Sequence, residues 1–181
     1  MTKVDRRILK SQEAIKNAFV DLLSEKNFDQ ITIQDISNKA NVSRRTIYLH
    51  YMDKFDLLDK LIEGHINKLQ ELAEANSELD FIKGNIIWFE YFEEHFLFFS
   101  TMLNNKRGSS FRSQFLDFVF KALDVEVTVE EGRNKGLDKD IISRFIAGAY
   151  VELVEWWVIN KMPYSPKMMA ERVGILIERI I

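Results

Sequence analysis

The chain has 181 residues, 46% hydrophobic and 29% charged, with a net charge of −3, seven glycines and two prolines. This balance describes a folded, helix-rich globular protein of one or two domains and excludes a disordered chain. With no cysteine, it excludes disulfides, thiolate nucleophiles and cysteine-based zinc sites.

Charge is unevenly spread. Residues 1–54 hold ten Lys/Arg against seven Asp/Glu, a net of +3, and the rest hold 15 against 21, a net of −6. A basic N-terminal third on an acidic body fits a DNA-reading head on a regulatory body. Residues 1–12 carry charges but no apolar core, so no signal peptide is expected. The longest apolar stretch, residues 86–103, is interrupted by Glu90, Glu93, Glu94 and His95. No membrane span or membrane partner is therefore expected, and the location expected is cytoplasmic.

Taken in order, Arg6 to Glu25 reads as a first helix whose stripe is Ile8, Ile15, Phe19 and Leu22. Lys3, Arg6, Arg7 and Lys10 gather at its start, where they would touch phosphates from an arm. Thr32 and Asp35 have the spacing of a capping box, and Ile33, Ile36 and Ala40 share a face behind them. Asn41 suits the left-handed end of that helix, Val42 plugs the turn, and Ser43 caps the next helix. That helix carries Arg44, Arg45, Thr46, Tyr48 and His50 on its polar sides, with Ile47 and Tyr51 inward. Helix, tight turn and capped helix with exposed arginines is the helix-turn-helix pattern, whose second helix enters the major groove.

Asp53 starts a connecting helix that runs to about residue 73, roughly 30 Å long. It joins a helix-turn-helix domain over 1–54 to a regulatory and dimerisation body over 55–181. The body opens with a segment dense in aromatics, Phe81 to Leu103, read as two helices because the apolar phase shifts near His95. A loop follows over 104–110. A helix is then expected from Phe111 to about Glu131, an amphipathic helix from Lys139 to Lys161, and a last helix from Lys167 to Ile180 behind Ser165 and Pro166. The expected fold is all-α, about nine helices without strands.

These features resemble the TetR family of bacterial transcriptional regulators. The carriers are the N-terminal helix, the run from Ile31 to Tyr51, and Thr46-x-Tyr48-x-His50-Tyr51-x-x-Lys54-x-x-Leu57-Leu58. Arg45 departs from the pattern, since many members carry glycine there. Gly148, Ala149, Leu153, Trp156, Trp157, Met162, Pro163, Ser165 and Pro166 resemble the end of a subgroup, the regulators of dihydroxyacetone-kinase operons.

The resemblance implies a homodimer that sets two recognition helices in successive major grooves of a near-palindromic operator, roughly 34–36 Å apart. The DNA-binding residues it implies are Thr32, Gln34, Ser43, Arg44, Arg45, Thr46, Tyr48, His50, Tyr51 and Lys54. Arg44 and Arg45 suit guanine O6 and N7, and Gln34 suits an adenine or a phosphate. Tyr48 suits a thymine methyl or a phosphate, and Thr46, His50 and Lys54 suit phosphates. The dimer interface expected is Gly148, Ala149, Glu152, Trp156, Trp157, Ile175, Leu176 and Ile180, an isologous four-helix arrangement. A pocket for a small apolar or aromatic ligand is expected along Trp88, Phe89, Phe92, Phe96, Phe99, Phe115, Phe118 and Tyr150. Such a ligand would make the protein a repressor that lets go of DNA when it binds.

Two other readings compete. In the first, the body recruits a protein partner through the 104–110 loop and has a filled core. An enzyme would rest on Glu90, Glu94 and His95, but adjacent helical residues point about 100° apart and these do not converge. No Gly-rich phosphate loop, metal-ligand motif or nucleophile elbow is present, so no catalytic residue, metal or cofactor is expected.

Overall fold

The computed structural model describes residues 3–104, 109–124 and 127–179. Among them are nine α-helices and no strand: α1 (Lys3–Glu25), α2 (Ile33–Ala40), α3 (Arg44–Tyr48), α4 (Lys54–Ala75), α5 (Phe81–Glu94), α6 (Phe96–Asn104), α7 (Ser109–Asp124), α8 (Lys139–Ile159) and α9 (Pro166–Glu178). They form two units, residues 1–65 and 66–181. The division falls inside α4.

In the first unit, α1 packs on α2 and α2 on α3. Ile15, Phe19, Phe28, Ile31, Ile36 and Ile47 are sealed in the centre. Phe28 stands edge-on between Phe19 and Phe55, with centroids at 6.2 and 5.1 Å. Lys39 and Lys26 on the rim pair with Glu25 at 2.6 Å and Asp35 at 3.0 Å. Exposed pairs like these stabilise weakly, so burial carries this small core.

In the second unit, α5 packs along α9, and α8 lies against α6 and α7. Phe89, Phe92, Phe99, Phe111 and Phe115 are buried together. Phe92 meets Phe99 at 4.9 Å and Phe115 at 5.7 Å, both edge-on, and Phe111 stacks on Phe115 at 5.7 Å. The α5–α9 contact depends on Gly174, where a Cβ would come within 2.7 Å of the Ile82 side chain.

The helix expected from Phe111 to Glu131 ends at Asp124. Beyond it Val127 turns into the core, and a short 3₁₀ turn follows at Gly132–Asn134. The β-branched residues of 127–129 have poor helix propensity, and none of them is helical. The 104–110 loop falls largely outside the described residues, as does Ile180.

Candidate nucleic-acid interface and ligand cavity

Local chemistry sets the angle between α2 and α3. The Thr32 Oγ1 accepts from the Asp35 N–H at 3.1 Å, and the Asp35 carboxylate accepts from the Thr32 N–H at 2.8 Å. This completes the capping box. The Thr32 backbone bond, reinforced by Lys26, holds the Asp35 carboxyl down at about 2. Asn41 closes α2 in the left-handed region, φ 52° and ψ 44°. The Val42 N–H reaches the Ser37 carbonyl at 3.1 Å, a Schellman closure. Ser37, buried, returns its hydroxyl to the Val42 carbonyl at 2.6 Å. Ser43 then caps α3 by accepting from the Thr46 N–H at 3.0 Å.

The helix so positioned turns Ile47 inward and leaves Arg44, Arg45, Tyr48 and Leu49 exposed. Residues 44 and 48, and 45 and 49, are one turn apart, so the four share one solvent face. Neither arginine forms a salt bridge among the described residues, so both guanidinium forks are available. Leu49 was not among the expected contacts, yet it is 72% exposed beside the arginines. An apolar side chain left open on such a face suits a thymine methyl.

The other expected contacts divide. Gln34 is exposed on α2 and donates to Asn38 at 2.7 Å. Thr32, Ser43 and Thr46 are engaged in the caps, with Ser43 and Thr46 hydroxyls 2.8 Å apart. His50 is half-buried with its ring 6.2 Å from Tyr51. Two expectations are corrected. Tyr51 is 3% exposed, its ring in the head core, with its hydroxyl pKa raised chiefly by burial. Lys54 is turned inward: its ammonium donates to the carbonyls of Phe28, Asp29 and Ile31 at 2.9, 3.1 and 2.8 Å. It also sits 4.7 Å from the Phe28 ring centroid. An ammonium has three donors, and here all three are used. Lys54 thus locks the loop before α2 onto the start of α4.

In the body, the expected pocket residues also divide. Phe89, Phe92, Phe99 and Phe115 pack ring on ring in the aromatic core and are not among the walls of the cavity described next. Phe96 is half-buried on α6. Trp88 and Tyr150 do wall a cavity of about 400 Å³, and Phe118 backs Trp88 at 5.2 Å. The cavity's other walls include Leu72 and Ala73 of α4, Phe81, Gly84 and Asn85 of α5, and Val119, Ala122 and Leu123 of α7, with Asn76, Ser77, Leu79 and Asp80 between α4 and α5. The Tyr150 hydroxyl donates to Asn85 Oδ1 at 2.8 Å, and the Asn85 amide donates to the Phe81 carbonyl at 3.0 Å. Burial pushes the Tyr150 hydroxyl pKa far up, so it stays protonated.

On α8 and α9 the two tryptophans part. Trp157 is fully buried and donates its indole N–H to the Tyr164 carbonyl at 2.9 Å, which corrects its placement at an interface. Trp156, Ala149, Glu152, Ile175 and Leu176 are exposed, and Gly148 is half-exposed. Ile141, Phe145, Ile159 and Met168, not foreseen, extend the same surface. On α8 the exposed apolar positions 141, 145, 149, 156 and 159 repeat at helical spacing, a stripe facing solvent that is interrupted at Glu152, which faces Arg112 at 3.5 Å. Glu90 and Glu94 are exposed, while His95 is half-buried with its ring 4.4 Å from Tyr91 and its pKa lowered by burial. Among the described residues no helix is long and apolar enough to cross a membrane, and no group of three or more His, Asp or Glu side chains is placed to hold a metal.

Comparison with known proteins fits this geometry. Residues 16–61 match the bacterial regulatory proteins of the tetR family, and residues 79–179 match a transcriptional regulator C-terminal region of that family. The chain belongs to the TetR family. It is a DNA-binding transcriptional regulator of the TetR type. Over 176 residues it is 29% identical to the HTH-type transcriptional regulator YxbF of Bacillus subtilis, covering 93% of this chain but 45% of YxbF. It is 23% identical over 173 residues to the dhaKLM operon activator DhaS of Lactococcus lactis, covering 94% of this chain and 90% of DhaS. A solved DhaS structure shares the fold at TM-score 0.69, with 22% identity and coverage of 94% and 96%. FadR of Bacillus subtilis, solved with stearoyl-CoA, shares it at TM-score 0.66, with 21% identity and coverage of 93% and 98%.

Proposed function

We propose that this TetR protein is a homodimeric repressor that reads a near-palindromic operator with α3 and is released by a small molecule held in the body. The observation that carries the DNA reading is the exposed α3 face of Arg44, Arg45, Tyr48 and Leu49, held rigidly by two caps and the Lys54 lock. Arg44 and Arg45 supply bidentate contacts to guanine, Tyr48 and Leu49 meet thymine methyls, and Gln34 contacts the flanking backbone. Arg6, Arg7 and Lys10, exposed at the start of α1, add phosphate contacts.

The apolar stripe on α8, continued by Met168, Ile175 and Leu176 on α9, supports dimerisation. Exposed contiguous apolar surface marks an interaction site, and a two-fold pairing of the same helices buries it on both copies. At Gly148 a Cβ would meet nothing within 4 Å inside the subunit, so its smallness serves close approach of a second helix.

The cavity supports ligand control. Its α4 wall, Leu72 and Ala73, belongs to the same uninterrupted helix that Lys54 begins. A ligand that displaces the end of α4 re-aims its start, and with it the recognition helices. This requires different affinity for the DNA-bound and free states. The test is a footprint of the purified protein on DNA upstream of its own gene. Two protected blocks about one helical turn apart are expected, and absence of any protected site, at any salt concentration that permits binding, would overturn the reading.

A further inference from the structure

The polar inventory of the body cavity narrows what it holds. Asn76, Ser77 and Asp80 stand at its solvent-facing rim and apolar side chains make up most of its inner wall; its volume of about 400 Å³ lies in the range of small-molecule sites, about 300–1,000 Å³. No Lys, Arg or His occurs among its described lining residues. Its one lining carboxylate, Asp80, is already spent. One Asp80 oxygen caps α5 by accepting from the Lys83 N–H at 2.9 Å, and the other pairs with the Lys83 ammonium at 2.7 Å.

The interior polar feature is the Asn85–Tyr150 pair, both more than nine-tenths buried. The Asn85 amide has two N–H groups, and one is used on the Phe81 carbonyl. The Tyr150 hydroxyl gives its single proton to Asn85. The pair therefore has one N–H left to donate and the phenolic oxygen left to accept. Both are neutral dipoles. A carboxylate or phosphate pressed against this buried pair would give up part of its water and find no cation, and an ammonium would find only the Asp80 carboxylate at the rim, already paired with Lys83, so a charged group is disfavoured here.

We infer that the cavity takes an uncharged molecule with an apolar body and one oxygen function, an alcohol or a ketone, whose oxygen meets the second Asn85 N–H, and that it disfavours a free fatty-acid carboxylate at that position. The inference rests on the reading of this cavity as the effector site.

Gly84 supplies the test. It lines the cavity, and a Cβ there meets nothing within 4 Å, so Gly84→Leu sends its side chain from an unobstructed position. Ala122→Leu, on the α7 wall, is a second filler should the first fail to fold. Binding of 1-decanol, decanoate and decyltrimethylammonium to the full chain is measured by calorimetry at pH 8, below micelle formation, with a melting curve for each variant. Decanol should bind at least about tenfold tighter than either charged probe, and the fillers should abolish that binding while the melting temperature holds or rises. Charged probes that bind as tightly, and lose binding in the fillers, would overturn the neutral-ligand inference but keep the cavity as effector site. Decanol binding that survives the fillers, or no binding by any probe, would overturn both.

Discussion

Replacing Lys54 by methionine keeps the aliphatic stem and deletes the ammonium that joins α4 to the loop before α2. Three carbonyl bonds of 2.8 to 3.1 Å are lost at once. A hydrogen bond from a charged donor contributes about 1.5–3 kcal/mol. The three share one donor atom that is only half-buried, and the Asp29 carbonyl is solvated, so their sum overstates the loss. We expect the head to lose about 2–4 kcal/mol. For a unit of this size that lowers its melting temperature by roughly 10–25 °C. The assay pairs thermal unfolding with operator affinity as a function of salt, at a temperature where the variant is folded. Each phosphate contact contributes about −0.9 to the slope of log K against log salt. With Lys54 committed to the head, Lys54→Met leaves that slope unchanged. If the slope falls by about 1.8 for a dimer while the melting temperature stays put, Lys54 is a phosphate contact and the internal lock is refuted.

Other outcomes follow from the same geometry. The Asp35 carboxyl, held at about 2, is depressed below its unfolded value of about 3.9. Its contribution to head stability is therefore complete above about pH 4 and is lost as pH falls through about 2. A carboxyl NMR titration with a midpoint near 3.9 would contradict the capping box. Gly174→Ala forces the Ile82 side chain aside and should cost the body about 1–3 kcal/mol in urea unfolding despite alanine's better helix propensity; an unchanged midpoint would show that α5 and α9 are not so closely apposed. Phe145→Asp, at a site 65% exposed within one subunit, should leave secondary structure and monomer stability intact but shift sedimentation from dimer to monomer; a dimer that persists would move the interface off α8.

The head was largely legible because its signals are local. A capping box, a left-handed asparagine and an N-cap serine each act within three or four residues, so Thr32, Asp35, Asn41 and Ser43 announce α2 and α3 from the sequence. Lys54 was misread because its partners lie more than twenty residues earlier in the chain, and a lysine in a DNA-binding motif reads as a phosphate contact. The adjacent Trp156 and Trp157 point about 100° apart on a helix, so one faces in and one out, and periodicity alone does not say which. Asn85 and Tyr150 are 65 residues apart, and the aromatic segment offers too many rings for spacing to tell the core from the cavity wall. What distinguishes them is tertiary: Phe92 is enclosed by other rings, whereas Trp88 borders the open space beside Gly84.

The most direct test of the account is the affinity of the Arg44→Ala, Arg45→Ala double variant for operator and for scrambled DNA of equal length, at one salt concentration. In the dimer four bidentate base contacts are lost, two in each half-site; at about 1–3 kcal/mol each this should cut specific affinity by roughly 1,000-fold or more until it meets the scrambled-DNA value, and leave melting and dimerisation unchanged. Full preference for the operator in that variant would contradict the assignment of the α3 face as the reader of sequence.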